Sequence, residues 1–397
     1  MIDSILAILT ILGCCVGLLF AWSSNPIMWY GFSALFFALL AVWCGLRLVC
    51  PEKAFAGETT GTARIVALIV CLVPCWGFVQ LTAGWSMYRW ATEVDSLRWL
   101  AFAGVYFLAS RLPGPLKNGT KTLITLYSFG LITLSLLDLM TDTRLFGLTT
   151  WRSAGTFLNT DHFATFSLLM LPLAACEIVR RGANQPLFMV ATATMAAAVV
   201  GSQSRAGLAI LGLELVAVPL LLYWNGTKLG DRAPNLRPLG AAGIVALAFT
   251  LIVGWEATAM HLQTLSADAD VRLKLWQSSA NMFAARPWTG FGLGTWAHQY
   301  PAYALFDIGR YANAAHSDWF QWAAEGGVPM VLGMVLLFGL ALRTSLRQPW
   351  AFGLVAVLLH CAVDFPMQGK FLPCMFWVVF GLAANAKTAP VTGSRLV

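Results

Sequence analysis

The sequence predicts an all-α, polytopic membrane protein with about twelve spanning helices and one large outer loop near 257–326, in a single integral domain over 1–397. Three observations carry that prediction. The chain is 58% hydrophobic and only 11% charged, against roughly 25% charged residues in an ordinary soluble domain. Its apolar residues are grouped into runs long enough to cross a bilayer. Its basic residues alternate between the two sides of those runs.

Taken in order, the runs lie near 5–22, 27–49, 65–85, 97–112, 122–140, 163–179, 187–203, 206–224, 239–256, 327–342, 351–366 and 371–386. The first lacks a basic leader and a small-residue cleavage site, so it reads as a retained helix rather than a removed signal. With the N-terminus cytoplasmic, the even-numbered loops and both termini hold most of the 25 Lys and Arg residues. Among them are Lys117, Lys121, Arg180, Arg181, Lys228, Arg232, Arg237, Arg343 and Arg347. The short loops "RRGANQP" and "RTSLRQP" carry no acid, which is the positive-inside pattern. Most of the 18 carboxylates fall on the opposite side. The expected topology is N-in and C-in, and the net charge of +7 reflects sidedness, with no nucleic-acid partner implied.

The nine cysteines (14, 15, 44, 50, 71, 75, 176, 361 and 374) lie in or beside apolar runs without zinc-like spacing to histidine, and read as packing residues. No metal-ligand cluster is visible, and no cofactor is expected. The loop near 257–326 is long for an internal connection, which points to function. It contains "VRLKLWQSSANMFAARPW" at helical spacing, so it is expected to be structured.

Polar residues gather on the outer side. "GTFLNTDHFATF" (155–166) brings Asn159, Asp161 and His162 to the membrane surface. They read either as a rim that binds a sugar or headgroup, or as a helix cap in which Asn159 or Thr160 satisfies free amides. "GSQSRAGLAIL" (201–211) sets Arg205 among Ser202, Gln203, Ser204 and Gly207. Such an arginine either snorkels to the interface or faces a protein-lined pocket; Glu214, further along the same run, is its candidate partner or a polar helix contact. "RLKLWQSSANMFAARPWTGFGLGTW" (272–296) offers Arg272, Lys274 and Arg286, then Gly290, Gly292 and Gly294. A dinucleotide fingerprint needs a βαβ unit that is absent here. The glycines instead suit a tight turn or close approach to a ligand. Arginines from separate segments suit a pyrophosphate, because the guanidinium fork matches phosphate oxygens.

"AHSDWFQWAAEGGVPMVLGM" (315–334) is expected to form a short polar helix from about Ala315, with His316, Phe320 and Ala323 or Ala324 on one face. Gly326, Gly327 and Pro329 then end it and start a membrane helix. A lone histidine is more often structural. This one shares the outer side with the arginines, and histidine is suited to taking a proton near neutral pH.

Together, Gly290/Gly292/Gly294, His316-Ser317-Asp318 with Gln321, and Glu325 with Gly327 resemble the signature of the O-antigen ligase and O-antigen polymerase superfamily. "NTDHFA" resembles an entry common among its exopolysaccharide-type members, and "SQSRAG" resembles its Ser-Arg-Gly turn, with Ala206 where glycine is common. The resemblance covers roughly 150–345 and implies a GT-C-like fold in the bacterial inner membrane. It implies a metal-independent glycosyltransferase that takes glycan from an undecaprenyl-pyrophosphate donor at the periplasmic face. The acceptor is a second glycan or lipid A core, and membrane lipids and other polysaccharide-assembly proteins are the remaining partners. Carried residue by residue, it makes His316 the base and Arg205 and Arg272 the catalytic cations. Arg286, Asn159, Asp161, His162, Asp318, Gln321, Glu325, Gly292 and Gly294 become candidates for substrate binding. Polymerase and ligase stay open, with "NTDHF" tilting towards polymerase. A transporter or flippase of lipid-linked glycans is the competing class, and it predicts repeats and discontinuous helices that the sequence does not display. A scaffold protein, the third class, leaves the arginine–histidine constellation without a purpose.

Overall fold

A computed structural model describes residues 2–23, 25–49, 59–141, 153–179, 184–228, 236–237, 239–244, 265–306, 309 and 311–386. Among these residues the chain is helical, with one isolated bridge between Ala154 and Phe157 in place of any strand. Eight described helices precede residue 230: α1 (Ile2–Leu19), α2 (Pro26–Val49), α3 (Gly61–Thr82), α4 (Arg89–Ser110), α5 (Gly114–Thr141), α6 (Thr160–Val179), α7 (Gln185–Gly201) and α8 (Arg205–Lys228). From residue 265 onward come α9 (Leu265–Ala285), α10 (Trp296–Gln299), α11 (Asp318–Arg347), α12 (Gly353–His360) and α13 (Phe371–Ala384).

Seven of the described helices are long and apolar enough to cross a membrane: α1, α2, α3, α5, α6, α8 and α11. The segments over α7, 349–360 and α13 are apolar but shorter. Every run expected to span therefore carries helix, the run at 239–256 being described, as helix, only over 239–244. The outward surface supports a bilayer setting: Ile27, Leu48, Leu123 and Leu220 are each more than 60% exposed. An apolar girdle of that extent is untenable in water.

α13 forms the hub, with all of its residues buried. Trp377 packs edge-on against Trp99 and Tyr106 of α4 at 6.3 and 6.0 Å. Gly381 permits that approach, since a Cβ there would press on the Ser110 amide and Tyr106 carbonyl. Small residues at membrane helix contacts serve this purpose. α6, also largely buried, packs between α7, α8 and α12.

The two ends of the bundle are tied separately. At one, the Asn385 side-chain amide donates to Ser110 O at 2.9 Å, Lys117 Nζ donates to Asn385 O at 2.8 Å, and Thr60 N–H donates to Asn385 Oδ1 at 3.0 Å. At the other, the N-termini of α6, α8 and α11 meet the C-terminus of α12 and the middle of α9.

Two local outcomes differ from the sequence reading. The polar helix of α11 starts at Asp318, not Ala315, because the Ser317 hydroxyl caps it by accepting from the Phe320 amide. His316 thus precedes the helix, in the left-handed region at φ 53°. The apolar run at 351–366 stops being helical at His360, because the Cys361 and Asp364 carbonyls turn back to accept the Asp318 amide at 2.9 and 3.0 Å. The bend expected after Gly326 is present: Gly327, at φ 66° and ψ −163°, breaks α11 into a short polar piece and a long apolar one.

Candidate active site

The polar end of the bundle is organised around the turn after α12. Arg272, midway along α9, donates from one guanidinium nitrogen to Val363 O at 2.8 Å and pairs through the other with Asp161 Oδ2 at 3.4 Å. Next in that turn is Asp364, buried, with its carboxyl 3.6 Å from Nε2 of His162. Phe365 follows, with the His162 ring edge-on to it at 5.2 Å and the His316 ring edge-on at 4.8 Å. Three residues of one turn, Asp364 among them, thereby gather an arginine, two histidines and one further carboxylate from α6, α9 and the α11 approach. Burial, then the charge of Asp161, pushes the Asp364 carboxyl well above the usual carboxylate range.

His316 is held by its backbone. Its carbonyl accepts from Trp276 Nε1 at 3.1 Å, and the Trp276 ring stacks on Phe320 at 5.8 Å, clamping α9 to the start of α11. A non-glycine residue in the left-handed region costs on the order of 1 kcal/mol, a strain that concentrates at functional sites. His316 as a residue is half-buried, and Nδ1 of its imidazole is buried.

Arg205 opens α8 one residue after Ser204, whose hydroxyl lies 3.3 Å from Nε2 of His360; Nδ1 of His360 lies 2.7 Å from Thr165 Oγ1. The fully buried His360 thus ties α6 to the start of α8, of which Arg205 is the first residue. Glu214 is buried, and neither carboxyl oxygen is hydrogen-bonded among the described residues, so it is not the hydrogen-bonding partner of Arg205.

The other residues singled out in the sequence hold this frame. Asn159 Oδ1 accepts from the Asp161 amide at 2.9 Å, capping α6. Asp318, fully buried, accepts from the Met367 amide at 2.9 Å and from Gln368 Nε2 at 2.8 Å. Gln321 Oε1 accepts from the Ala315 amide at 3.2 Å, and its amide nitrogen donates to Glu325 Oε1 at 3.0 Å. That oxygen also accepts from Trp296 N–H at 3.1 Å, while the Glu325 carbonyl accepts from Gly292 N–H at 3.0 Å. Gly290, Gly292 and Gly294 all have positive φ, and a Cβ at Gly292 would collide with the Thr92 hydroxyl. Gly292 and Gly294 are thus needed for the loop to lie against α4 and α11.

Arg286 stands apart. It follows the end of α9, so at 1.5 Å per residue it lies roughly 20 Å from Arg272 along the helix axis. Its guanidinium donates to Trp85 O at 3.0 Å and covers the Phe291 ring at 4.8 Å.

Sequence reading passed over His360, Asp364, Phe365 and Gln368, together with the α4 pair Asp95–Arg98. Arg98 salt-bridges Asp95 at 2.6 Å and donates to Gln368 O at 2.6 Å, joining α4 to the same turn. The available signal was the polar interruption "HCAVDFPMQGK" (360–370) closing an apolar run. Among the described residues no three of His, Cys, Asp and Glu are grouped as a metal site.

Residues 190–334 match the family model described as O-Antigen ligase. No curated protein matches the chain. The match contains Arg205, Arg272, Arg286, the glycine loop, His316 and Glu325, and it bears out the resemblance read from the motifs. It ends before the Asp364 turn and begins after His162. The chain is therefore a multi-pass membrane protein in which residues 190–334 are similar to the O-antigen ligase family.

Proposed function

We propose that this chain is a metal-independent glycosyltransferase of the bacterial inner membrane that transfers or polymerises glycan from undecaprenyl pyrophosphate at the periplasmic face. The single observation that carries this reading is the convergence of His316, Arg272 with Asp161, and the Arg205 turn on one end of the bundle. In the reaction the acceptor hydroxyl oxygen forms a bond to the anomeric carbon as the bond from that carbon to the pyrophosphate oxygen breaks. His316 takes the hydroxyl proton. Arg205 and Arg272 hold the departing pyrophosphate and offset the charge it gains, an electrostatic task set up before the reaction begins. Asp161 orients Arg272, and His162 with Asn159 lines the acceptor side.

Asp318, Gln321, Glu325, Gly292 and Gly294 act by fixing the turn that presents His316. Arg272 rather than Arg286 serves the pyrophosphate, because two guanidiniums roughly 20 Å apart along one helix cannot clamp one such group. Residues 1–397 then form one domain of about twelve spans, N-in and C-in, with 257–326 as its periplasmic loop. Ligase and polymerase share this chemistry and differ in acceptor, and the Asn-Thr-Asp-His-Phe stretch favours the polymerase. Polysaccharide-assembly proteins and membrane lipids are its partners.

The test is transfer by purified protein from an undecaprenyl-pyrophosphate glycan in EDTA, with Arg205→Ala and Arg272→Ala beside wild type. Transfer in EDTA that either substitution reduces by about a hundredfold or more, at unchanged melting temperature, supports the reading. Absence of transfer to any acceptor by the wild-type protein contradicts it.

A further inference from the structure

The separation of Arg286 from the cluster leaves it without a part in the chemistry, yet its surroundings are built. The turn between α3 and α4 and the loop after α9 border an open cleft of about 390 Å³, whose lining includes Gly84, Trp85, Arg286, Pro287, Trp288 and Thr289. That volume is in the range of small-ligand sites, about 300–1,000 Å³. Two tryptophans from distant parts of the chain flank a guanidinium: Trp85 is 37% exposed and Trp288 69%.

Each part is fixed from behind. Arg286 holds Trp85 by its carbonyl at 3.0 Å, and the Trp76 ring packs on Trp85 at 5.9 Å. Trp76 in turn donates from Nε1 to Gly326 O at 2.9 Å, next to the Glu325 clamp of the glycine loop. Val328 N–H donates to Pro287 O at 2.7 Å, which binds the cleft wall to the bend in α11. The cleft and the His316 turn are therefore parts of one rigid frame. A tryptophan that merely anchors a protein at the membrane interface needs no such backing and no arginine between it and a second one.

We propose that this cleft is an accessory saccharide subsite that holds the distal sugars of a glycan whose reacting end lies at His316, an inference that rests on the transferase reading above. The chemistry fits a sugar. Indole faces suit the apolar C–H faces of pyranose rings, and the guanidinium has five N–H donors, one of which goes to Trp85. The roughly 20 Å along α9 between the cleft and Arg272 is a span that an oligosaccharide covers and a single sugar does not. The cleft therefore selects for chain length rather than for the sugar being joined.

The probe is a pair of soluble oligosaccharides released by mild acid from the donor, one repeat unit and several repeat units long. Binding to the full chain in lipid-free detergent is read by tryptophan fluorescence and by saturation-transfer NMR, so no turnover is needed. The expected result is that wild type binds the longer glycan about tenfold more tightly than the shorter, and that Trp288→Ala and Arg286→Lys each erase this preference. Trp288 is exposed and Arg286→Lys keeps the charge, so both variants are expected to fold, and melting curves check this. A wild-type protein without length preference, or variants that keep it, overturns the subsite, as does quenching by added phospholipid and not by glycan. Transfer measured on the same samples separates the two readings. Transfer with no length preference sinks the subsite alone, whereas a preference lost in both variants, without transfer, supports the subsite and sinks the transferase.

Discussion

His316 is the residue in which sequence pattern and strain coincide. Its left-handed backbone is held between the Ser317 cap and the Trp276 hydrogen bond to its carbonyl. Alanine there keeps the strain and glycine relieves it. His316→Gly is therefore expected to be more stable than His316→Ala by about 1 kcal/mol in chemical denaturation, with both variants inactive in transfer. Equal stabilities would remove the strain from the argument. Asp364 gives a prediction in pH. Its carboxyl binds a proton more tightly folded than unfolded, so its contribution to stability falls as pH rises from about 4, the unfolded value, through the raised folded value. Asp364→Asn is expected to gain stability relative to wild type across that window, with no gain below it, when melts are compared from pH 3 to 8.

At the scale of elements, the glycine loop and α11 form one clamp. Gly292 has φ 108° and lies against Thr92, so Gly292→Ala combines a strained backbone with a collision. A loss of about 2–4 kcal/mol is expected in unfolding, together with loss of transfer through displacement of the His316 turn. A stable but inactive Gly292→Ala would place the glycine at substrate instead. Much of this element was legible in the sequence. The 271–288 stretch has helical spacing and is helix as far as Ala285, and the Gly-Gly-Val-Pro break falls where the pattern puts it. The turn at 361–370 was not legible, because its residues sit at the end of an apolar run that reads as membrane helix. Only the long-range return of its carbonyls onto Asp318, and the Arg98–Gln368 link, end the helix at His360. Periodicity carries no information about such contacts. The start of the polar helix was misplaced for a related reason: a serine cap outweighs the spacing of the residues before it.

For the whole molecule, the spanning runs and the gathering of polar residues at one end follow from composition and alternation alone. What alternation could not supply was distance. The sequence ranked Arg272 ahead of Arg286 as the pyrophosphate arginine without a measure of their separation, and the helix that runs from one towards the other sets them roughly 20 Å apart. The sidedness can be tested directly. In a cysteine-free background, a single cysteine replacing Trp288 is expected to react with an impermeant maleimide in intact spheroplasts, and one replacing Asn118 only after lysis. The reverse pattern would invert the topology and place the cluster in the cytoplasm.

On the proposed reading, His316 is the base of a glycosyl transfer. Single-turnover transfer from a lipid-linked glycan, measured against pH for wild type, His316→Ala and His316→Gln, tests it most directly. The expected result is a wild-type rate that rises with pH as one group loses its proton, and a loss of about a hundredfold or more in both variants with unchanged melts. Variants that retain the wild-type rate and pH profile would contradict it and leave His316 a structural residue of the α11 turn.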